Sequence, residues 1–243
     1  MKDITATMGQ MPDRPEIRFH DEISSEWETL HQGRTFTART AAMFNLLGAA
    51  NLKGQHWLDA GCGTGTLSRL LAARGCDVTG VDASAEMIAV AQRQRADGRL
   101  IGRLTYQQIP TIATLPFADR CFDGLLCASV LEYVGDVEQC LAEIHRVLRP
   151  GGLFLVSIPN RGSLLRRGYK LAYAASSRVS ARPLFRYLAF STFDTSPTTM
   201  QGLLRQHGLT MLGTNFGGTP LPAPLDRLSA LGTLINILAR RDD

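Results

Sequence analysis

Residues 57–65 read WLDAGCGTG and residues 78–82 read VTGVD, and these two stretches decide the fold. Each is a short, mostly apolar segment that leads to an acid, Asp59 in the first and Asp82 in the second. Glycines on alternating positions follow Asp59, and glycine lets a backbone turn sharply and approach a bound molecule closely. In nucleotide-binding βαβ units, an acid about 20 residues beyond the first glycine binds the ribose hydroxyls. The pattern therefore predicts an adenosine-containing ligand at the carboxyl ends of a parallel sheet.

The spacing of the glycines distinguishes between kinds of cofactor. A dinucleotide site places glycines on the first, third and sixth positions, so that a pyrophosphate meets the helix N-terminus. Here the sixth position is Thr66, and a glycine stands on the fifth, Gly65. In isolation such a loop could also be a plain strand-to-helix turn. Its pattern, D-x-G-x-G-x-G with Asp82 beyond it, resembles that of the class I S-adenosylmethionine-dependent methyltransferases.

Three later segments extend this resemblance, in the order in which that family carries them. Residues 115–123 (LPFADRCFD) resemble the approach to its fourth strand, residues 141–152 (LAEIHRVLRPGG) its helix and turn, and residues 153–157 its fifth strand. The family resemblance implies a Rossmann-like α/β fold, with a doubly wound, seven-stranded, mostly parallel sheet. It also implies S-adenosyl-L-methionine as the cofactor.

The apolar periodicity and the turn residues predict the elements of that sheet. Strands are predicted at residues 56–59, 78–82, 104–107, 124–128, 153–157, 209–216 and 234–239, the last two pairing antiparallel as in the family. Helices are predicted at residues 66–73, 84–96, 137–147 and 196–208, with Ser84 and Ser196 as N-caps. Strands that alternate with helices at these intervals imply a parallel, doubly wound sheet.

The regions beside the sheet have a different character. Residues 1–50 are predicted to form an N-terminal helical lid, poorly ordered over residues 1–18 and helical over residues 19–47 with a break at Gly33. Residues 51–243 are the predicted methyltransferase core, and residues 161–196 within it form a substrate-side insertion.

The insertion is strongly basic. Between Arg161 and Arg186 it holds seven basic residues and no acid, interleaved with aromatic and aliphatic side chains. Three interpretations stay open: a solvated helix pair that caps the substrate pocket, a surface that binds an anionic substrate through arginine side chains, and a surface that makes peripheral contact with an anionic membrane. A nucleic-acid partner is not expected, because the basic run lacks a recognisable module.

The composition is that of an ordinary soluble protein. The 243 residues suit one α/β domain with additions, and a net charge of +4 does not by itself suggest nucleic-acid binding. Five cysteines without a C-x-x-C pair indicate reduced, mostly buried thiols. No secretory signal or apolar run of bilayer length is recognisable, so we expect a cytoplasmic protein. The oligomeric state stays open.

The resemblance assigns cofactor-binding residues. Asp82 is expected to accept from both ribose hydroxyls, with helix capping as the alternative; Asp59 is expected to face the methionine ammonium, or else only to hold the glycine turn. The other expected contacts are Gly61, Gly63, Ala83, Met87, Thr111, Ile112 and Ser129. Relatives often place an acid after strand three for the adenine edge, but residues 106–114 (YQQIPTIAT) contain none. A backbone carbonyl, Gln108 or Thr111 is expected to take its place.

Residues 127–134 (CASVLEYV) resemble the E-V-[IL]-E-H-V segment of the ubiquinone-pathway O-methyltransferases. The glutamates and histidine of that segment are associated with a divalent metal. Only Glu132 is retained here, because Ser129 and Tyr133 replace the other two, and one carboxylate makes a poor magnesium site. No metal is therefore expected. Tyr133 is expected to line the methyl-transfer channel, with plain packing as the alternative.

The resemblance further predicts an enzyme that transfers the methyl group of S-adenosyl-L-methionine to an oxygen of a small-molecule acceptor, such as a biosynthetic metabolite, a quinone or a lipid-like compound. The acceptor is expected to be anionic or hydrophobic. A general base is needed only if the acceptor arrives protonated, and His20 and His31 of the lid are the candidates. The alternatives are N-methylation of a small amine, and a non-catalytic partner subunit that only binds the cofactor.

Overall fold

The structure is a computed structural model that describes residues 14–31, 33–94, 101–222 and 225–243. Within these ranges seven strands form one sheet of order β3-β2-β1-β4-β5-β7-β6. The strands are β1 (His56–Ala60), β2 (Asp77–Asp82), β3 (Leu104–Gln108), β4 (Phe122–Ala128), β5 (Leu148–Pro159), β6 (Leu209–Gly217) and β7 (Leu234–Arg241).

The strand order positions the functional end of the sheet. Strands β1 to β5 pair in parallel, with β2 on one side of β1 and β4 on the other. The direction of winding therefore reverses between β1 and β4, and ligands of open α/β sheets bind at such a switch point. Strand β7 lies antiparallel between β5 and β6. The predicted mostly parallel, doubly wound sheet is confirmed, including its antiparallel edge.

Helices connect the strands and cover the sheet. They are α1 (Pro15–His31), α2 (Arg34–Phe44), α3 (Thr66–Ala72), α4 (Ala85–Gln94), α5 (Val137–Val147), α6 (Leu164–Ser176) and α7 (Pro197–Gln206). Both predicted caps are present: the Ser84 hydroxyl accepts from the Met87 amide at 2.9 Å, and the Ser196 hydroxyl accepts from the Thr199 amide at 3.1 Å. Gly33 lies between α1 and α2, so the predicted break in the helical segment is confirmed.

Two boundaries differ from the sequence predictions. The poorly ordered start was expected to reach residue 18, but α1 begins at Pro15, because a proline is well suited to a first helical turn; residues 1–13 lie outside the described residues. Strand β5 begins at Leu148 instead of residue 153. Leu148 pairs with Phe122, and a register shift in β4 accommodates the turn that follows.

Both faces of the sheet are buried, as is usual for a parallel sheet covered by helices. Along β1, Trp57 belongs to the apolar cluster on one face and Leu58 to the cluster on the other, and neither side chain is exposed. All five cysteines are free thiols, and four of them are buried. Among the described residues, no helix is long and apolar enough to cross a membrane.

Candidate functional site

The glycine loop follows β1 at the carboxyl end of the sheet. Gly61, Gly63 and Gly65 have φ values of +78°, +53° and +77°, a region that favours glycine. The amides of Gly61 and Cys62 both donate to the carbonyl of Val81, at 2.8 and 2.9 Å, which ties the loop to β2. Close approach also requires these glycines, because a Cβ on Gly61 would overlap the side chain of Val130.

Asp82 ends β2 directly beside this loop. Its Oδ2 accepts from the Gly63 amide at 2.8 Å and its Oδ1 accepts from the Ser84 amide at 2.9 Å. Burial raises the pKa of Asp82, and these two backbone hydrogen bonds oppose the rise. Because a carboxylate oxygen can accept more than one hydrogen bond, both oxygens retain capacity for a ligand. The carboxylate therefore serves the loop and the start of α4, and can still receive hydroxyl groups.

Asp59 lies behind the loop. Its side chain is 1% exposed and accepts from the Ser68 hydroxyl at 2.5 Å, which joins β1 to α3. Its Oδ1 has no hydrogen-bond partner in the described part of the chain. Burial raises the pKa of Asp59 to about 7, with the Asp82 charge as a further contribution and the Ser68 bond opposing. This placement supports the role of holding the turn over direct contact with a cofactor.

A cavity of about 470 Å³ opens at the carboxyl ends of β1, β2 and β4. Predicted site residues from separate parts of the chain line it together: His20, Gly61, Gly63, Asp82, Ala83, Met87, Thr111, Ile112, Ser129 and Tyr133. Met87 lines the cavity and is also buried in the core. Asp59 does not line the cavity. The side chain of His31 lies outside the described residues.

The residues predicted to meet the adenine edge also make internal hydrogen bonds. The Gln108 amide donates to the carbonyl of Ala83 at 3.0 Å, and the Thr111 hydroxyl accepts from the Ala113 amide at 3.1 Å. Thr111 lines the cavity. An acid is also near: Arg14 of the segment before α1 donates to the Pro110 carbonyl at 2.7 Å and to Glu16, which lines the cavity.

Aromatic side chains surround His20, which also lines the cavity. The rings of Phe19, Trp27 and Tyr133 lie edge-on to its imidazole, with centroids 5.3, 5.6 and 5.1 Å away. Its Nδ1 is 2.6 Å from the Glu16 carbonyl, which can only accept, so Nδ1 carries a proton. In the neutral ring Nε2 is then the acceptor, and it has no hydrogen-bond partner among the described residues.

Tyr133 is held as a neutral phenol. Burial raises its pKa well above the usual value for tyrosine, and the neighbouring Glu132 charge raises it further. It lines the cavity beside His20. At this position Tyr133 can donate a hydrogen bond to a bound molecule, but it is a poor proton acceptor.

Arg39 is a cavity residue that the sequence reasoning missed. It lies on α2, and its Nη2 donates to the Ser129 hydroxyl at 2.7 Å. The other N–H groups of its guanidinium have no hydrogen-bond partner in the described part of the chain. Burial lowers the pKa of Arg39, and the Glu132 charge opposes that shift. The available signal was its place four residues before the buried Met43 on α2, because residues four apart lie on the same side of a helix.

Arg166 of the basic insertion turns inward. It is 4% exposed, and its Nη2 lies 3.6 Å from Oε2 of Glu132, which is 3% exposed. Ser191 links the pair: its hydroxyl donates to Glu132 at 2.5 Å and accepts from Arg166 at 2.6 Å. The insertion is thus anchored to the loop after β4 by a buried ion pair, and Arg166 is not part of a solvated or anion-binding surface.

The other basic residues of the insertion divide into two groups. Arg161 and Lys170 both bind Asp194, and Arg186 lies 3.3 Å from Glu22 of α1. The remaining three are exposed: Arg167, Arg178 and Arg182.

Comparison with known proteins gives a consistent result. Residues 58–156 match the family model described as a methyltransferase domain. The chain is 41% identical over 116 residues to malonyl-[acyl-carrier protein] O-methyltransferase of Serratia marcescens, an alignment that covers 47% of this chain and 42% of that protein. It is 32% identical over 165 residues to ubiquinone biosynthesis O-methyltransferase of Pseudomonas fluorescens (strain Pf0-1), covering 66% of this chain and 67% of that protein. Several other alignments span less than half of the relative's length.

The fold also matches solved structures. A possible histamine N-methyltransferase from Thermotoga maritima superposes with a TM-score of 0.68 at 20% identity, over 93% of this chain and 100% of that chain. At this level of identity the similarity concerns the fold alone.

We predict that Arg166→Ala lowers the free energy of unfolding by roughly 3–5 kcal/mol, because the Glu132 carboxylate then stays buried without its cation. The matched substitution at its exposed neighbour, Arg167→Ala, is expected to change it by less than about 0.5 kcal/mol. Urea denaturation followed by circular dichroism measures both values. Equal effects of the two substitutions would contradict the buried anchor.

We further predict that Asp59 makes stability depend on pH. Its pKa is about 7 in the folded chain against 3.8 in a model peptide, so the folded chain holds this proton more tightly. The share of the free energy of unfolding due to Asp59 therefore falls as the pH rises from about 4 to about 7, by at most about 1.4 kcal/mol per pH unit. Denaturation curves across this range should show a shallower fall for Asp59→Asn than for wild type. The same change at the exposed Asp243 should leave the slope unaltered, and an unaltered slope for Asp59→Asn as well would refute the prediction.

Proposed function

Because this chain belongs to the S-adenosylmethionine-dependent methyltransferase family, we propose that it transfers the methyl group of S-adenosyl-L-methionine to an oxygen of a small-molecule acceptor. The observation that carries this proposal is one cavity that joins the glycine loop and Asp82 to an imidazole nitrogen available as a proton acceptor. The relatives from S. marcescens and P. fluorescens are both O-methyltransferases, which supports oxygen as the acceptor atom.

The cofactor end of the cavity fits this molecule. Gly63 has no side chain, so the space beside its Cα stays open to a ligand. A Cβ built at Gly63 would have Nε1 of Trp27 as its nearest neighbour, at 3.7 Å. Asp82 would accept from the ribose hydroxyls, and Ala83 and Ile112 would contact the adenine. Bound S-adenosyl-L-methionine supplies an electrophilic methyl group on its sulfonium sulfur.

Arg39 would bind the carboxylate of the methionine moiety. Arg39 lines the cavity with N–H donors that have no partner among the described residues, and charge-assisted hydrogen bonds from a guanidinium to a carboxylate are among the strongest available. Its Ser129 contact places it beside the glycine loop, because Ser129 is the neighbour of Val130, whose side chain adjoins Gly61. We therefore assign Arg39 to the cofactor in preference to the acceptor.

The acceptor end would bind and activate a hydroxyl compound. His20 Nε2 would take the hydroxyl proton, which leaves an oxygen nucleophile, and Tyr133 would donate to that oxygen to orient it. The rings of Phe19 and Trp27 would exclude water and suit an aromatic or otherwise apolar acceptor. Positioning and exclusion of water are the main requirements of an in-line methyl transfer.

N-methylation of a small amine is the second candidate. An unpaired carboxylate would favour binding of a protonated amine, whereas Glu16 and Glu132 in the cavity are paired with Arg14 and Arg166, and Asp82 is assigned to the ribose. This pairing favours a hydroxyl acceptor over a cationic amine.

The proposal is tested by incubating the chain with methyl-labelled cofactor and a panel of phenols, carboxylic acids and amines, and identifying labelled products by mass spectrometry. Transfer to a hydroxyl or carboxyl oxygen is the expected result. Transfer only to amines would favour the second candidate. Tight binding of S-adenosylhomocysteine without transfer to any acceptor would instead support a non-catalytic partner subunit.

For the cofactor site we predict that Asp82→Ala weakens binding of S-adenosylhomocysteine by about 1.5–3 kcal/mol, because two charge-assisted hydrogen bonds to the ribose are lost. Isothermal titration calorimetry measures the change. Asp77→Ala is the matched control, since Asp77 begins the same strand and pairs with Arg103 outside the cavity. If Asp82→Ala binds S-adenosylhomocysteine as tightly as wild type does, Asp82 does not bind the ribose.

For the acceptor site we predict that His20→Phe lowers kcat by about 10²–10⁴-fold with an acceptor found in the panel, because the proton acceptor is lost while an aromatic ring is kept. The dissociation constant for S-adenosylhomocysteine should stay the same. His207→Gln, at the end of α7 and away from the cavity, serves as the control. A kcat equal to that of wild type would exclude His20 as the base.

A further inference from the structure

The outer side of the insertion exposes large apolar side chains that the fold does not use. Leu164 is 57% exposed, Leu171 73%, Val179 86% and Leu184 60%. Isolated apolar side chains on a surface are ordinary, but these four lie within about twenty residues of one another along the chain. Val179 lies just past the end of α6, and the Leu184 amide donates to the hydroxyl of Ser176, the last residue of that helix, at 3.0 Å, so both lie at its C-terminal end. We call these four residues together with Arg167, Arg178 and Arg182 the outer face.

Helical geometry places part of this surface on one stripe. Leu164, Arg167 and Leu171 follow one another at intervals of three and four residues along α6, so their side chains share a side of the helix. The opposite side is occupied by the fold: Arg166 is buried beside Glu132, and Tyr169 stacks on Phe185 with ring centroids 4.4 Å apart. The helix is therefore anchored from within and leaves its apolar and basic stripe to the solvent.

The charge of the outer face is of one sign. No acid occurs between Arg161 and Arg186. Asp194, which follows this segment, forms ion pairs with Arg161 and Lys170. In the described part of the chain, Arg167, Arg178 and Arg182 have no ion-pair partner. The outer face thus combines exposed aliphatic side chains with positive charges that nothing on the protein neutralises.

The inner side of the same insertion forms a wall of the cavity. Tyr187 lines the cavity, and the ring of Phe190 lies 5.5 Å from that of Phe19 on α1. Arg186 also reaches Glu22 of α1 at 3.3 Å. The outer face and the acceptor end of the cavity are therefore two sides of one short segment.

We propose that the outer face binds the surface of a bilayer that contains anionic lipids. Leucine and valine side chains would enter the boundary between headgroups and acyl chains, while the arginines between them would bind lipid phosphates, the usual arrangement of an interfacial amphipathic segment. A protein partner suits the surface less well, because leucine and valine are under-represented among the residues that dominate binding at protein interfaces, and the exposed apolar side chains here are three leucines and a valine. If the proposed function also holds, this contact brings the acceptor end of the cavity to a membrane, from which an apolar acceptor could be taken.

The test is co-sedimentation of the full chain with vesicles of phosphatidylcholine alone and of phosphatidylcholine with phosphatidylglycerol. We expect binding to the anionic vesicles at least tenfold tighter than to the neutral ones, weakened by added salt. Leu171→Asp with Val179→Asp, and separately Arg167→Glu with Arg182→Glu, should each reduce that binding tenfold or more.

Matched controls separate this surface from general charge and hydropathy. Ile101→Asp replaces an apolar side chain that is 70% exposed elsewhere, and Lys53→Glu with Arg93→Glu makes the same change in net charge on other exposed residues. These variants should bind anionic vesicles as wild type does. Equal losses in the controls, or no binding by wild type, would overturn the proposal.

Two further measurements distinguish the remaining outcomes. If light scattering shows a dimer that Leu171→Asp with Val179→Asp converts to a monomer, a second copy of the chain covers the outer face and the lipid proposal is wrong. Affinity for S-adenosylhomocysteine should be the same in every variant, which shows that the fold is intact. Vesicle binding without methyl transfer to any acceptor would leave the outer-face proposal standing and refute only the proposed function.

Discussion

The attachment of the glycine loop to the end of β2 is the interaction on which the site depends. Backbone amides of Gly61 and Cys62 share the Val81 carbonyl, and the next free amide, that of Gly63, binds the Asp82 carboxylate. These hydrogen bonds hold the floor of the cavity in one position, where no side chain intrudes. Asp82 thus has a structural role independent of any ligand, and its side chain also lines the cavity.

A second set of interactions determines what surrounds that floor. The buried contact of Glu132 with Ser191 and Arg166 joins the insertion to the loop after β4, and Arg39 joins α2 to Ser129. Buried charges are tolerated only when partners satisfy them, so each of these contacts defines where its segment can pack. Glu132 consequently anchors the insertion to the loop after β4.

Much of the fold followed from local sequence signals. The strands at residues 78–82 and 104–107, the caps at Ser84 and Ser196 and the break at Gly33 all depend on neighbours along the chain, and each prediction was confirmed. The predicted start of β5 was wrong, because pairing of Leu148 with Phe122 is a tertiary contact that no local pattern encodes. The predicted start of α1 was also wrong, although Pro15 is a local signal for the first turn of a helix. Most predicted cofactor residues meet in one cavity for the same local reason, since parallel strands bring their carboxyl ends together.

The sequence by itself determined the parallel sheet, the glycine loop and the acid at the end of β2, because strand periodicity, turn residues and their spacing are properties of adjacent positions. Tertiary structure alone decided which charges are buried and which are exposed. Arg166 and Arg167 are adjacent residues of the same type, so the sequence does not tell them apart. Arg166 is paired with Glu132 in the interior, whereas Arg167 faces solvent. Likewise, only the packing of α1 and α2 over the sheet brings His20, Arg39 and Glu16 to the cavity, since contacts across tens of residues depend on how whole elements pack.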